Sequence, residues 1–232
     1  MSVLSRISIE ALLDRAEHPG LIAAAEQLSE CLGQAVADDH RWPVHLELRP
    51  PGAKIEASSR PAVVIASLLP DVVFAEEPIA KTEARWRPYL RQLQEPGAPV
   101  CIRTVFRHVS DRDRTGVTSP LLERIRRLNR MAVALSHELG VMVIDIDRAF
   151  ADIGARRLKT DYRLGGPLAA EVSGHTMAWA LLSIGLDDIV APDVQEKAKT
   201  ILGNLQSIGA LLDRRLRRHQ AGRAAQQSTA PG

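Results

Sequence analysis

Pro70-Asp71-Val72-Val73-Phe74, Val100-Cys101-Ile102-Arg103-Thr104-Val105-Phe106 and Val141-Met142-Val143-Ile144-Asp145-Ile146 are short apolar runs separated by segments of helical periodicity. Such alternation predicts strands of a parallel sheet covered by helices on both faces. The runs are followed by Glu76-Glu77, Arg107-His108 and Asp147-Arg148. Open α/β sheets hold ligands in the crevice beyond the carboxyl ends of their strands. These polar ends are therefore where any chemistry is expected.

Outward from this core, Ile9 to Ala16 and Leu21 to Val36 read as helices separated by His18-Pro19-Gly20. Leu21, Ala25, Leu28, Leu32 and Val36 share one helix face. Pro43 to Leu48 alternates like a strand, and Arg49-Pro50-Pro51-Gly52 breaks it. Ser58 to Leu69 reads as a short helix and Glu83 to Leu93 as a longer one. A polar loop from Arg107 to Gly116 precedes a helix capped by Thr118 or Ser119, which Gly140 stops. A loop from Ile153 to Gly166 leads to a last domain helix near residues 169–182.

The 232 residues suit one α/β domain, residues 1–190 with a helical part at 1–40, plus a C-terminal extension. In that extension Val194, Ala198, Ile201, Leu205, Ile208 and Leu212 form a narrow apolar stripe, placing an amphipathic helix at 191–220. It either packs on its own domain or joins a second copy or a protein partner. Residues 221–232 read as a disordered tail.

Net charge is +2, yet Arg214, Arg215, Arg217, Arg218 and Arg223 put +5 into ten residues. The cluster lacks aromatics and any recognised DNA-binding motif, which argues against nucleic acid and for a solvated helix end. Aromatics make up only 3% of the chain, too few for a base-stacking platform. Cys31 and Cys101 fit no metal or redox spacing and read as reduced core residues. No signal-peptide stretch and no 18-residue apolar run occurs, so a cytoplasmic location without a transmembrane segment is expected. No phosphate loop, zinc spacing or dinucleotide fingerprint implies a cofactor or metal. In Asp111-Arg112-Asp113, arginine neutralises the acids.

From about Trp42 to Ile189 the chain resembles the SGNH/GDSL hydrolase superfamily. The resemblance rests on Pro70-Asp71-Val72-Val73-Phe74, on Ile125-Arg126-Arg127-Leu128-Asn129 followed by Val141 to Asp145, and on Gly174-His175 within Glu171 to Ala178. It implies a flavodoxin-like three-layer α/β/α sandwich with a parallel sheet. It also implies four catalytic features, and the sequence departs from them. No Gly-Asp-Ser follows the start of the chain. Gly52 is a weak match to the glycine oxyanion donor. The Asn of Gly-X-Asn-Asp falls on Glu77, whose charge would repel an oxyanion. The Asp and His of Asp-X-X-His fall on Gly166 and Ala169.

Without a hydroxyl, a base and an anion to orient it, Ser–His–Asp chemistry fails. The readings left open are a catalytically degenerate SGNH-like binding or accessory domain, tied to carbohydrate or acyl-ester metabolism; an esterase or acyltransferase with a rearranged site; and an assembly protein acting through its C-terminal helix. Candidate ligand-binding residues are Gly52, Glu76, Glu77, Arg107, His108 and Asp147. For catalysis His108, His175, Ser58 or Ser59, and Asp161 are the candidates. The bland alternative is that strand ends are simply solvated, and that His175 bonds a backbone carbonyl.

Overall fold

In the computed structural model, the described residues are 6–36, 41–56, 59–110 and 119–203. Five strands, β1 (Ile7–Leu12), β2 (Val44–Arg49), β3 (Val63–Ser67), β4 (Val100–Arg103) and β5 (Met142–Ile144), form one sheet in the order β2-β1-β3-β4-β5. Every neighbouring pair is parallel. The helices are α1 (His18–Ala35), α2 (Ile79–Gln94), α3 (Pro120–Leu139), α4 (Ile146–Ile153), α5 (Ala155–Leu158), α6 (Pro167–Ile184) and α7 (Pro192–Leu202). Among the described residues no helix is long and apolar enough to cross a membrane.

The two sheet faces carry separate cores. Ile7, Ile9 and Ala11 of β1, with Val63, Ile65 and Cys101, pack against α1, α4 and α6. Leu12, Val64, Ala66, Val100 and Ile102 pack against α2 and α3. This is the flavodoxin-like three-layer sandwich that the resemblance implied. Helix α7 lies on the first layer, where Ala198 is buried and Val194 and Leu202 pack on the core.

Helix signals in the sequence hold where they were strongest. The Ser119 hydroxyl accepts the Leu122 amide at the start of α3. Gly140 ends that helix with φ 70°, a left-handed conformation that costs glycine little. Strand β2 also lies where the alternation put it.

Three elements differ from the sequence reading. The segment expected to be a helix from Ile9 is the interior strand β1. Hydrogen-bonded to β2 and β3 and buried on both faces, it shows none of the polar alternation that marks a half-exposed strand. The expected helix at 58–69 contains β3, whose five residues are all buried. The strand expected at Pro70 is a 3₁₀ turn, Leu69–Val73. Proline has no N–H to give a central ladder but is tolerated in the first turn of a helix.

Strands β4 and β5 are shorter than their apolar runs because side chains take over the backbone beyond them. Asn129 accepts the Val105 amide at 2.8 Å, and Asp145 caps α4 by accepting the Arg148 amide at 3.0 Å.

Candidate functional site

Beyond the carboxyl ends of β1, β3 and β4 lies a sealed polar cluster. The chain leaves β1 through Leu13 and Asp14 into a 3₁₀ turn, Arg15–Glu17. A capping box shapes this turn: Asp14 accepts the Ala16 amide, and the Asp14 amide donates to Glu17 Oε2 at 3.0 Å. The turn aims Glu17 inward. Its Oε1 accepts Arg103 Nη1 at 2.8 Å and the Ser67 hydroxyl at 2.6 Å. Arg103, at the end of β4, also donates to the Ser173 hydroxyl of α6 at 2.9 Å.

All four side chains are buried, Arg103 completely. Burial works against the guanidinium charge, and the Glu17 carboxylate offsets it. A single ion pair thus ties three strand ends to the helix layer. Within this cluster of four side chains, Arg103 Nε is the buried polar atom left without a hydrogen bond.

Beside this cluster is a cavity of about 440 Å³, between the loop after β2, the end of β3 and α2. Its apolar walls include Leu12, Pro51, Ala66 and Trp86. Gly52 stands at one side in a left-handed conformation, φ 79°, and Tyr89 bonds the adjacent Ala53 carbonyl at 3.2 Å. The polar groups on the wall are Ser67, Asp71 and Arg85. Asp71 accepts Arg85 Nη2 at 2.6 Å and the Trp86 indole N–H at 2.7 Å.

Behind Asp71, the buried Arg124 of α3 donates to the Asp71 carbonyl, the Glu77 carbonyl and the Thr82 hydroxyl at 3.1, 2.9 and 2.7 Å. This bracing fixes the turn after β3 before any ligand arrives. That is a preorganised wall.

The residues expected to form one polar site are divided between several places. Gly52 lines the cavity just described. Glu77 faces away into the brace, where it accepts Arg85 and Thr82; the Arg85 guanidinium holds its carboxyl below the usual range. Glu76 is exposed. Arg107 and Asp147 line a different cavity, with Arg107 Nε 3.4 Å from Asp147 Oδ2. His108 stacks on Phe106, and its carbonyl accepts the Tyr162 amide at 2.8 Å. Asp161 accepts the Arg163 amide and side chain.

The catalytic candidates His175 and Ser59 are each engaged elsewhere. Ser59 donates its hydroxyl to Glu10 of β1. His175 is buried in α6, stacked on Trp179 and hydrogen-bonded to the backbone at Gly203 of the α7 end. Burial pushes its ring down to about 4, so it is neutral near pH 7. Ser58 lies outside the described residues.

The corrected strand boundaries also change the residues onto which the motifs of the resembled superfamily would fall. After β3 the chain reads Leu68-Leu69-Pro70-Asp71, so Asp71 stands at the Asp of Gly-X-Asn-Asp and Pro70, not Glu77, at its Asn. Proline offers neither an amide side chain nor a backbone N–H. After β1 the chain reads Leu13-Asp14-Arg15-Ala16-Glu17, with no hydroxyl where the nucleophile turn belongs. Gly166 is the N-cap of α6 and Ala169 is buried in its first turn, so neither supplies a base.

Sequence reasoning missed Glu17, Ser67, Arg85 and Arg103. One signal was available: a charged Arg103 inside the apolar run at Val100 demands a buried counter-ion. Cys31 and Cys101 are free and buried as expected, with burial pushing both thiols up to about 12. Among the described residues, no cluster of His, Cys, Asp or Glu is arranged to hold a metal ion.

No sequence-family model matches the chain, and no curated protein matches it significantly. Solved structures do. An acetyl xylan esterase, AlAXEase, matches with a TM-score of 0.53 and 14% identity over 74% of this chain and 98% of that one. A mutant acetyl-xylooligosaccharide esterase from Geobacillus Stearmophilus matches at 0.48 and 14%, covering 79% and 95%. An alpha/beta hydrolase enzyme from the metagenome of Lake Arreo, Spain, matches at 0.49 and 12%, covering 84% and 96%. At these identities the likeness concerns the fold alone. It assigns no activity.

Proposed function

We propose that this chain is a non-hydrolytic SGNH-like binding or accessory domain that holds a small ligand in the cavity between β2, β3 and α2. The observation that carries the reading is the Glu17–Arg103 ion pair, closed by Ser67 and Ser173. It fills the edge of the sheet where a hydrolase of this fold would keep its nucleophile and base. Glu17, engaged by a guanidinium, a hydroxyl and a backbone amide, is tied into the fold and does not line the cavity. The cavity keeps a predominantly apolar surface with a rigid acid–base pair, Asp71 and Arg85, at its wall. Such a site suits an acyl or carbohydrate ester that is held without being cleaved.

A second reading has one observation in its favour. The Ser67 hydroxyl lies on the cavity wall and donates to Glu17, so a Ser–carboxylate pair could act as nucleophile and base in a rearranged esterase or acyltransferase site. Turnover of p-nitrophenyl acyl esters separates the two. The binding reading expects rates at the buffer level, unchanged in Ser67→Ala. Robust turnover that Ser67→Ala abolishes would overturn it and establish the hydrolase.

Binding has its own readout in the fluorescence of Trp86. Titration with acyl esters is expected to change that signal in the parent and not in Ala66→Phe, which fills the cavity. Assembly through the C-terminal stripe is the weakest reading, because Val194 and Ala198 already pack on the domain itself. Leu205, Ile208 and Leu212 lie outside the described residues.

A further inference from the structure

A second cavity, about 660 Å³, opens between α3 and the edge strand β5, on residues the first cavity does not use. Its carboxylates already have donors. Asp147 accepts the Arg107 amide at 2.9 Å and Asn129 Nδ2 at 3.2 Å. Asp145 accepts the Arg148 amide at 3.0 Å and the Thr104 hydroxyl at 3.1 Å. Glu123 accepts Arg127 Nε at 2.9 Å.

The guanidiniums in the same groove are much less engaged. Arg126 has no hydrogen bond or ion pair among the described residues. Arg130 approaches a carboxylate no closer than 3.6 Å, at Glu123, and Arg107 approaches Asp147 only at 3.4 Å. Arg126, together with the loosely paired Arg107 and Arg130, therefore leaves donor capacity to spare in a groove whose carboxylates already accept hydrogen bonds. Arg126 and Arg130 are also one helical turn apart, so their side chains rise from the same face of α3.

We propose that this groove binds a phosphomonoester, with Arg107, Arg126 and Arg130 holding the phosphate and Val133 and Val143 contacting the organic part. Three planar forks match a group that presents three oxygens and carries nearly two negative charges. A lone carboxylate, with two oxygens, leaves one fork idle. The volume falls within the range of small-molecule sites, roughly 300–1,000 Å³, and so has room for more than phosphate itself.

The test is isothermal titration calorimetry of the full chain with phenyl phosphate, inorganic phosphate and citrate. Saturable binding is expected, tightest for phenyl phosphate, because its ring reaches the two valines. In the Arg126→Ala/Arg130→Ala double variant, affinity is expected to fall about tenfold or more, from the loss of charged hydrogen bonds. Both arginines are exposed, so its melting temperature is expected to match the parent's. Unchanged binding in the double variant would overturn the site and point to basic residues elsewhere, including the Arg214–Arg223 cluster. Citrate binding more tightly than both phosphates would overturn the ligand class. Absence of saturable binding would overturn the proposal altogether.

Discussion

Arg103 Nη1 and Glu17 Oε1 lie 2.8 Å apart with both side chains sealed from solvent, one at the end of β4 and the other in the turn after β1. The pair bridges a gap of 86 residues in sequence and crosses the place where β3 ends, since Ser67 shares the same carboxylate oxygen. Two desolvated charges of this kind need each other. Their mutual attraction does little more than repay the cost of leaving water, but removing one partner strands the other.

Arg103→Met is therefore expected to lose about 3–5 kcal/mol of stability, because the Glu17 carboxylate stays buried without its cation. The double variant Glu17→Gln/Arg103→Met should lose clearly less than the two single losses added together. Urea unfolding of the four proteins measures this coupling. Additive losses would mean that the two groups do not depend on each other.

The contact between α1 and α6 gives a second prediction. A Cβ on Gly174 would stand 2.7 Å from Ala23 Cβ and 2.9 Å from the Ala24 amide nitrogen, so the helices touch backbone to backbone there. Gly174→Ala forces them apart and is expected to cost about 1–3 kcal/mol, despite alanine's better helix propensity. Thermal unfolding checks the sign. A stabilised variant would show that the two helices separate at little cost.

How much of this was legible depended on where each residue sits. Helix α3 announced itself through Ser119 and Gly140, and β2 through its alternation, because those signals are local. Strand β1 gave none, since Ile7, Glu10 and Leu12 are all withdrawn from water and its identity comes from pairing on both sides. At β3, the Pro70-Asp71 pair drew the strand boundary too late, because a proline beginning a 3₁₀ turn looks the same in sequence as one leading into a strand. Gly52, Arg107 and Asp147 were legible as strand-end residues, but sequence cannot say that they line two separate cavities. The Glu17–Ser67–Arg103 cluster was hidden by distance along the chain, although Arg103 in an apolar run pointed to a missing acid.

Helix α7 allows a comparison between two residues three positions apart. Ala198 is fully buried against the domain, while Ile201 is 43% exposed. Ala198→Glu buries a charge without a partner and is expected to cost about 3 kcal/mol or more. Ile201→Glu lies at the surface and should change stability by less than about 1 kcal/mol. Light scattering adds the assembly readout. If Ile201→Glu halves the mass in solution, the exposed side of this helix is an interface, and the packing of Ala198 is only half of its role.

His175 gives the pH dependence. Its ring sits at about 4 in the folded chain because burial disfavours the charged form, against an ordinary value of 6.5. Between those limits the unfolded chain holds a proton that the folded chain refuses, so unfolding takes up protons and stability rises with pH. The contribution is complete above about pH 6.5 and drains away as pH falls toward 4. Its size is on the order of 3 kcal/mol, at about 1.4 kcal/mol for each pH unit that separates the folded and unfolded values. His175→Leu also loses the bond to the Gly203 backbone, but that cost does not vary with pH. The difference in unfolding free energy between parent and variant should therefore shrink on acidification across this window. Urea titrations at pH 4.5, 5.5 and 7 would test it; a constant difference would mean that His175 is not held neutral and that another group sets the acid sensitivity.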